Sequence, residues 1–188
     1  MSQGGYFTSA EARKAGYSYR LQHFHRTNGN WHLMDRGIYR FPDQIDSPHD
    51  DLIRWALWSR DRQGRTQAVV SHETALALHE LSDVMPAKIH LTVPPRFRKK
   101  GARASVLHRD IIPDVQIEAR EGFLLTRPLR TLCDVAEGDL SPEHLAAAVR
   151  DALRKGLVRK TVLLQTPVSP HARERLREAL LESDGGAD

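Results

Sequence analysis

The chain has 188 residues and a mass of 21.3 kDa, with 40% hydrophobic and 28% charged residues and a net charge of +4. That suits one medium domain or two small ones with a real core, and it excludes a disordered or fibrous chain. No apolar run approaches the roughly 20 residues that span a bilayer. The opening MSQGGYFTSAEARK has no apolar h-region, and the single cysteine, Cys133, excludes a disulfide scaffold or a thiolate-rich metal site. The expected compartment is the cytoplasm, with no membrane partner.

Thr8 followed by Glu11 is a capping-box pattern that predicts a helix from Ser9, and Gly16 is placed to end it. Ser18 predicts the cap of a second helix over 19–27. At 100° per residue, Leu21, Phe24 and His25 are expected on its inner face, with Tyr19, Gln22, His23 and Arg26 outward. His25 reads as a core histidine. Trp31–Met34 and Ile38–Phe41 predict two strands around Asp35-Arg36-Gly37. The segment 42–50 (PDQIDSPHD) reads as a linker. A helix follows it, opened by Ser47-Pro48 and carrying Trp55 and Trp58. Then come a short strand at Ala68–Val70 and a helix capped by Ser71. Lys88–Val93 and Ala104–His108 predict strands joined by RFRKKGAR as a hairpin tip. A strand pair is expected around Arg120-Glu121-Gly122. Helices should run from Pro128, from Ser141-Pro142-Glu143, and over about 170–182, and residues 183–188 are expected to be a flexible tail.

The positive charge is concentrated. Residues 88–109 carry seven Lys/Arg and no acid, whereas the rest of the chain has twenty-one basic and twenty-four acidic residues. The question is what this one segment faces.

The ordered series GGYFTSAEARKAGYS, DRGIYRFP, SHETALALHELSDVMPAKIHLTVPP and LTRPLRTLCDVA resembles the AbiEi family of antitoxins, over roughly residues 4–156. That family comprises transcriptional regulators encoded beside AbiEii-type nucleotidyltransferase toxins. The resemblance implies an α+β protein, with an N-terminal winged helix-turn-helix (1–45) followed by a mixed α/β domain (46–182). It implies autorepression at promoter inverted repeats, with double-stranded DNA, the toxin and a homodimer as partners. The helix opened by Ser18 corresponds to the recognition helix, and Asp35-Arg36-Gly37 to the wing turn. Only about seven residues precede the Ser9 helix, where a complete winged domain has a further helix. The helix near 49–60 is the candidate to cover that face.

A recognition helix needs donors for phosphates and base edges, concentrated at its N-terminal end. Ser18, Tyr19, Arg20, Gln22, His23, Arg26 and Thr27 are the candidates on the helix, with Arg36 and Arg40 on the hairpin. Arg96, Arg98, Lys99, Lys100 and Arg103 form a second candidate contact, to nucleic acid or to an acidic partner, or else a solubilising loop. Two other readings stay open: a stand-alone regulator without a toxin, and a protein-interaction module using the basic tip.

Catalytic groups are sparse. There is no P-loop, dinucleotide fingerprint, nucleophile elbow or paired-carboxylate nuclease motif. His72 and His79 are too far apart along a helix to share a metal, and His23 and His25 point to opposite sides of theirs. His90 and His108 could meet across paired strands, but no carboxylate lies in either. Cys133 reads as a buried thiol, and Ser71 as a cap rather than a nucleophile. The expectation is a protein that is not an enzyme, with no metal and no cofactor.

Overall fold

The computed structural model describes residues 3–185. Among these the chain has eight helices and two sheets, an α+β composition. It divides into two compact units. One is the chain up to Ala68 with Ala119–Leu124, and the other is Val69–Glu118 with the chain from Leu125 onward.

The first unit contains β1 (Tyr6–Thr8), α1 (Ser9–Lys14), α2 (Tyr19–Thr27), β2 (His32–Asp35), β3 (Ile38–Arg40) and α3 (Asp50–Ser59). The capping box at α1 is formed in full. Glu11 N donates to Thr8 Oγ1, and Thr8 N donates to Glu11 Oε2 at 2.7 Å. Gly16 ends α1 at φ +94°, a conformation that only glycine adopts freely. The strands make an antiparallel sheet in the order β1-β3-β2. Register sets Tyr6 opposite Arg40 and Thr8 opposite Ile38, so these residues share one face. The face is packed by α3, through buried residues that include Leu52, Ile53, Ala56 and Leu57. On the other face Phe7 meets Trp31 at 4.9 Å and Phe41 at 4.8 Å. The compact unit runs past residue 45 because α3 supplies apolar cover for Tyr6 and Ile38. Trp55 and Trp58 of α3 meet each other edge to face at 4.9 Å.

The second unit contains β4 (Val69–Val70), α4 (His72–Leu78), β5 (Ile89–Val93) and β6 (Ser105–Arg109). A 3₁₀ turn at Asp114–Gln116 leads into β7 (Ile117–Ala119) and β8 (Leu124–Thr126). Then follow α5 (Pro128–Glu137), α6 (Pro142–Arg154), α7 (Lys160–Gln165) and α8 (Pro170–Gly185). The sheet order is β6-β5-β4-β8-β7. β4 lies antiparallel to β5 and parallel to β8, and β5 and β6 are parallel, with Ile89 opposite Ser105 and Val93 opposite Arg109.

This parallel pairing corrects the expected hairpin tip at 96–103. Parallel neighbours cannot be joined by a tight turn, so the segment between them must return to the far end of the sheet. Phe97, 5% exposed, anchors that return, and Arg109 Nη1 donates to its carbonyl at 2.7 Å.

The helices enclose the main core of this unit. Leu132 and Val135 of α5, Leu145 and Val149 of α6, Leu163 of α7 and Leu176 of α8 are buried together. Each such side chain contributes about 2 kcal/mol of burial. Ser141 caps α6 by accepting from His144 N, with Pro142 in the first turn, as expected. α7 was not expected. Residues 183–185 continue α8 instead of starting a flexible tail, and 186–188 lie outside the described residues. No helix among the described residues is long and apolar enough to cross a membrane.

Candidate nucleic-acid interface

α2 is held at its start by Ser18, whose hydroxyl accepts from Leu21 N at 3.3 Å. Its attachment to α1 is polar. Ser9 Oγ donates to Gln22 Oε1 at 2.6 Å, and Gln22 Nε2 donates to the carbonyls of Tyr17 at 2.9 Å and Ser9 at 3.2 Å. Gln22 is 2% exposed. It is therefore a strut and not a DNA contact, which corrects the outward placement. Its amide finds a complete set of partners on α1 and the turn, and this turns the helix.

The apolar side is corrected by the same turn. Leu21 and Phe24, expected inside, are 45% and 54% exposed. His25 is half-buried and stacks on Trp31 at 4.7 Å.

Beside Leu21 and Phe24, α2 exposes the polar side chains of Tyr19, Arg20, His23, Arg26 and Thr27. No residue of α2 is acidic. Arg26 Nη2 donates to His23 Nδ1 at 3.4 Å, whereas the Thr27 hydroxyl is turned back onto the carbonyls of His23 and Phe24. The sequence reading missed α1's share. Arg13 lies over the Tyr19 ring at 5.0 Å and donates to its hydroxyl, and Lys14 is exposed beside it in the chain. The signal was present in the two basic residues of the last turn of α1. Arg36 is exposed at the β2–β3 turn, where its backbone N–H is held by Asp35.

Arg40 is a second correction. It is 8% exposed, and Nη1 donates to Asp46 Oδ1 at 2.5 Å while Nη2 meets Asp50 Oδ2 at 3.2 Å and the Ile45 carbonyl at 2.9 Å. The bond to Asp46 raises its pKa above the ordinary arginine value against the opposing effect of burial. Its guanidinium is committed to the acids of the 42–50 segment and cannot serve DNA as well.

Arg96, Arg98, Lys99, Lys100 and Arg103 are all exposed along the β5–β6 crossover. They belong to the second unit, whereas α2 belongs to the first.

Of the groups weighed for catalysis, Ser71 and His72 are adjacent, with Oγ and Nδ1 2.9 Å apart. Ser71 is 0% exposed and takes a bond from Thr92 Oγ1, so its hydroxyl neither caps α4 nor reaches solvent. His90 Nδ1 lies 3.1 Å from His108 Nε2 and 2.7 Å from Glu73 Oε2, and His72 stacks on His108 at 3.4 Å. The carboxylate missing from both strands thus arrives from α4. Among the described residues no group of three or more His, Cys, Asp or Glu side chains is arranged to hold a metal ion. Burial pushes His72 down to about 3, helped by His108, and the Cys133 thiol up to about 11.

A scan against protein-family models matches none, and a search of curated proteins finds no relative. Among solved structures the chain is similar to the crystal structure of RV2827C protein from Mycobacterium tuberculosis. The TM-score is 0.56 at 16% identity, over 96% of this chain and 74% of that one. At this identity the likeness establishes a shared fold and nothing about activity.

Proposed function

We propose that this chain is a DNA-binding transcriptional regulator of the AbiEi antitoxin kind. In this reading the N-terminal unit acts as a winged helix-turn-helix and lays the solvent side of α2 along duplex DNA. The observation that carries it is an exposed helix face with Arg20, His23 and Arg26, no carboxylate of its own, and Arg13 braced against Tyr19 at its edge. Arginines on such a face can neutralise phosphates or pair with guanine edges, while Tyr19 and His23 suit phosphate oxygens. The buried Gln22 strut supports the reading by holding the helix rigid. One short helix makes few contacts, so specificity requires two protomers on an inverted repeat. Antagonism of a nucleotidyltransferase-type toxin rests on the sequence resemblance alone.

The test is a mobility-shift assay with DNA upstream of the chain's own gene against unrelated DNA. The reading expects preference for the upstream DNA and loss of that preference in Arg20→Ala/Arg26→Ala. Equal retention of both DNAs, unchanged by the double substitution, would refute it. A nucleotidyltransferase encoded next to this gene, copurifying with the chain, is the expected result for the toxin arm.

A second reading has its own observation. Leu21 and Phe24 are exposed on α2, and Leu33 on β2 is 46% exposed. Apolar side chains in this density suit a protein partner. In that case Leu21→Ser/Phe24→Ser abolishes a complex, and Arg20→Ala does not.

A further inference from the structure

The two sheets end in four edge strands, and three of these are blunted. β1 and β7 are three residues long, and β2 has an irregularity between Leu33 and Asp35. Short edges and bulges discourage further pairing. The fourth edge is β6, the end strand of the order β6-β5-β4-β8-β7. It runs five residues, Ser105–Arg109, and pairs with β5 in unbroken register. It contains no proline, no lysine and no acid.

Two bonds settle which main-chain groups of β6 are already used. Ile89 N–H donates to the Ala104 carbonyl at 2.9 Å, and Asp110 N–H donates to the Val93 carbonyl at 3.1 Å. Successive residues of a strand turn their polar groups to opposite sides, so Ala104, Val106, His108 and Asp110 address β5, and Ser105, Leu107 and Arg109 address the open edge. Ser105 N–H is taken by the Ala102 carbonyl at 3.0 Å. The N–H and C=O of Leu107, the Arg109 N–H and the Ser105 carbonyl point where the sheet has no further strand.

We propose that β6 is a dimerisation edge: two copies of this chain pair antiparallel, β6 against β6, about a two-fold axis at Leu107. Leu107 exchanges both main-chain bonds with Leu107 of the second copy, and Arg109 N–H donates to the Ser105 carbonyl opposite. The side chains fit the same register. The half-buried Leu107 meets its own copy, Val106 meets His108, and Arg109, the only Lys, Arg, Asp or Glu of the strand, meets Ser105. The two Arg109 residues stand about 14 Å apart along the strands, beyond the Debye length of about 8 Å at physiological salt. An axis at Arg109 would oppose like charges, and an axis at Ser105 would need N–H groups already bonded to Ala102. This self-complementarity selects a second copy over an unrelated strand. The pairing supplies the second protomer that the DNA reading calls for, but it rests on the strand edge alone, and its test contains no DNA.

Gly101 of the crossover lies over the Ser105 and Leu107 side chains, where an added Cβ would come within 2.5 Å of Ser105 Oγ. The basic crossovers of both copies therefore sit on one face of the joined sheet and repel, which weakens the dimer at low salt. The experiment is sedimentation velocity of the full chain in about 0.5 M NaCl, where the Debye length is about 4 Å. A species of twice the 21.3 kDa chain mass is expected, half-formed between about 10 and 100 μM chain. Leu107→Pro removes an edge N–H that β5 does not use, and Leu107→Lys sets like charges on the axis. Each should weaken the dimer at least about tenfold. If these variants fail to fold, Leu107→Cys decides. A short bismaleimide should join its chains in pairs, whereas Met85→Cys, at a position 91% exposed, should stay single. Cys133 is buried and does not compete for the reagent. A chain that remains at 21.3 kDa up to about 500 μM overturns the proposal. So does a dimer that folded Leu107→Pro or Leu107→Lys leaves intact, or cross-linking no greater for Leu107→Cys than for Met85→Cys.

Discussion

The Ser9 hydroxyl donates to Gln22 Oε1 at 2.6 Å, and this bond joins α1 to α2 where apolar packing would be expected. Gln22 has its carbonyl and its amide both engaged, so its removal leaves the Ser9 hydroxyl and the Ser9 and Tyr17 carbonyls short of partners. Gln22→Ala should cost about 1–3 kcal/mol in denaturant unfolding. A midpoint equal to that of the unaltered chain would show that the strut does not hold the helix.

Arg40 should behave as a structural residue. Arg40→Ala removes the partner of Asp46 and of the mostly buried Asp50, whose side chain is 17% exposed. A loss of about 3 kcal/mol is expected, from the range for broken buried pairs. DNA affinity per folded molecule should be unchanged. A variant of full stability with weakened DNA binding would return Arg40 to the interface.

These two residues also show where sequence reasoning stops. Local signals were legible: the Thr8/Glu11 box, the Ser18 and Ser141 caps and the Gly37 turn depend on residues a few positions apart. The burial of Gln22 and Arg40 depends on partners supplied by tertiary structure; helical periodicity placed Gln22 outward, and its charge and place on the hairpin put Arg40 among the DNA contacts. The crossover at 94–104 carries the same turn-rich composition as a hairpin, so strand direction was not legible. α7 spans six residues and has no side-chain cap, which left it without a signal. Asp134, buried against Arg130, lies four residues after it, a spacing that reads as an ordinary surface pair on a helix.

The histidine group should make stability depend on pH. His72 adopts φ +51° and its ring stacks on His108. Burial, then His108, hold its pKa near 3, with His90 and Arg130 adding to the fall and Glu73 opposing it. His108 is lowered as well, by burial and then His90. An unfolded histidine takes a proton near 6.5, which folded His72 refuses until about 3. The stabilisation is therefore fully present above about pH 6.5 and is lost as pH falls toward 3. Asp134, raised to about 6, acts in the opposite direction below that pH, so a variant is needed to isolate the histidine. His72→Asn suits the backbone, since Asn tolerates positive φ. Its stability deficit should shrink by about 1 kcal/mol between pH 7 and 5.5 in denaturant titrations. A deficit constant with pH would contradict the assignment.

The central claim is that the solvent side of α2 meets duplex phosphates through Arg20 and Arg26. The most direct measurement is the fluorescence anisotropy of a labelled upstream duplex, titrated at several salt concentrations with the unaltered chain and with Arg20→Ala/Arg26→Ala. Each phosphate contact contributes about 0.9 to the slope of log affinity against log salt. The double variant should bind several-fold more weakly, with a slope shallower by about 2. Superimposable lines for the two proteins would contradict the account.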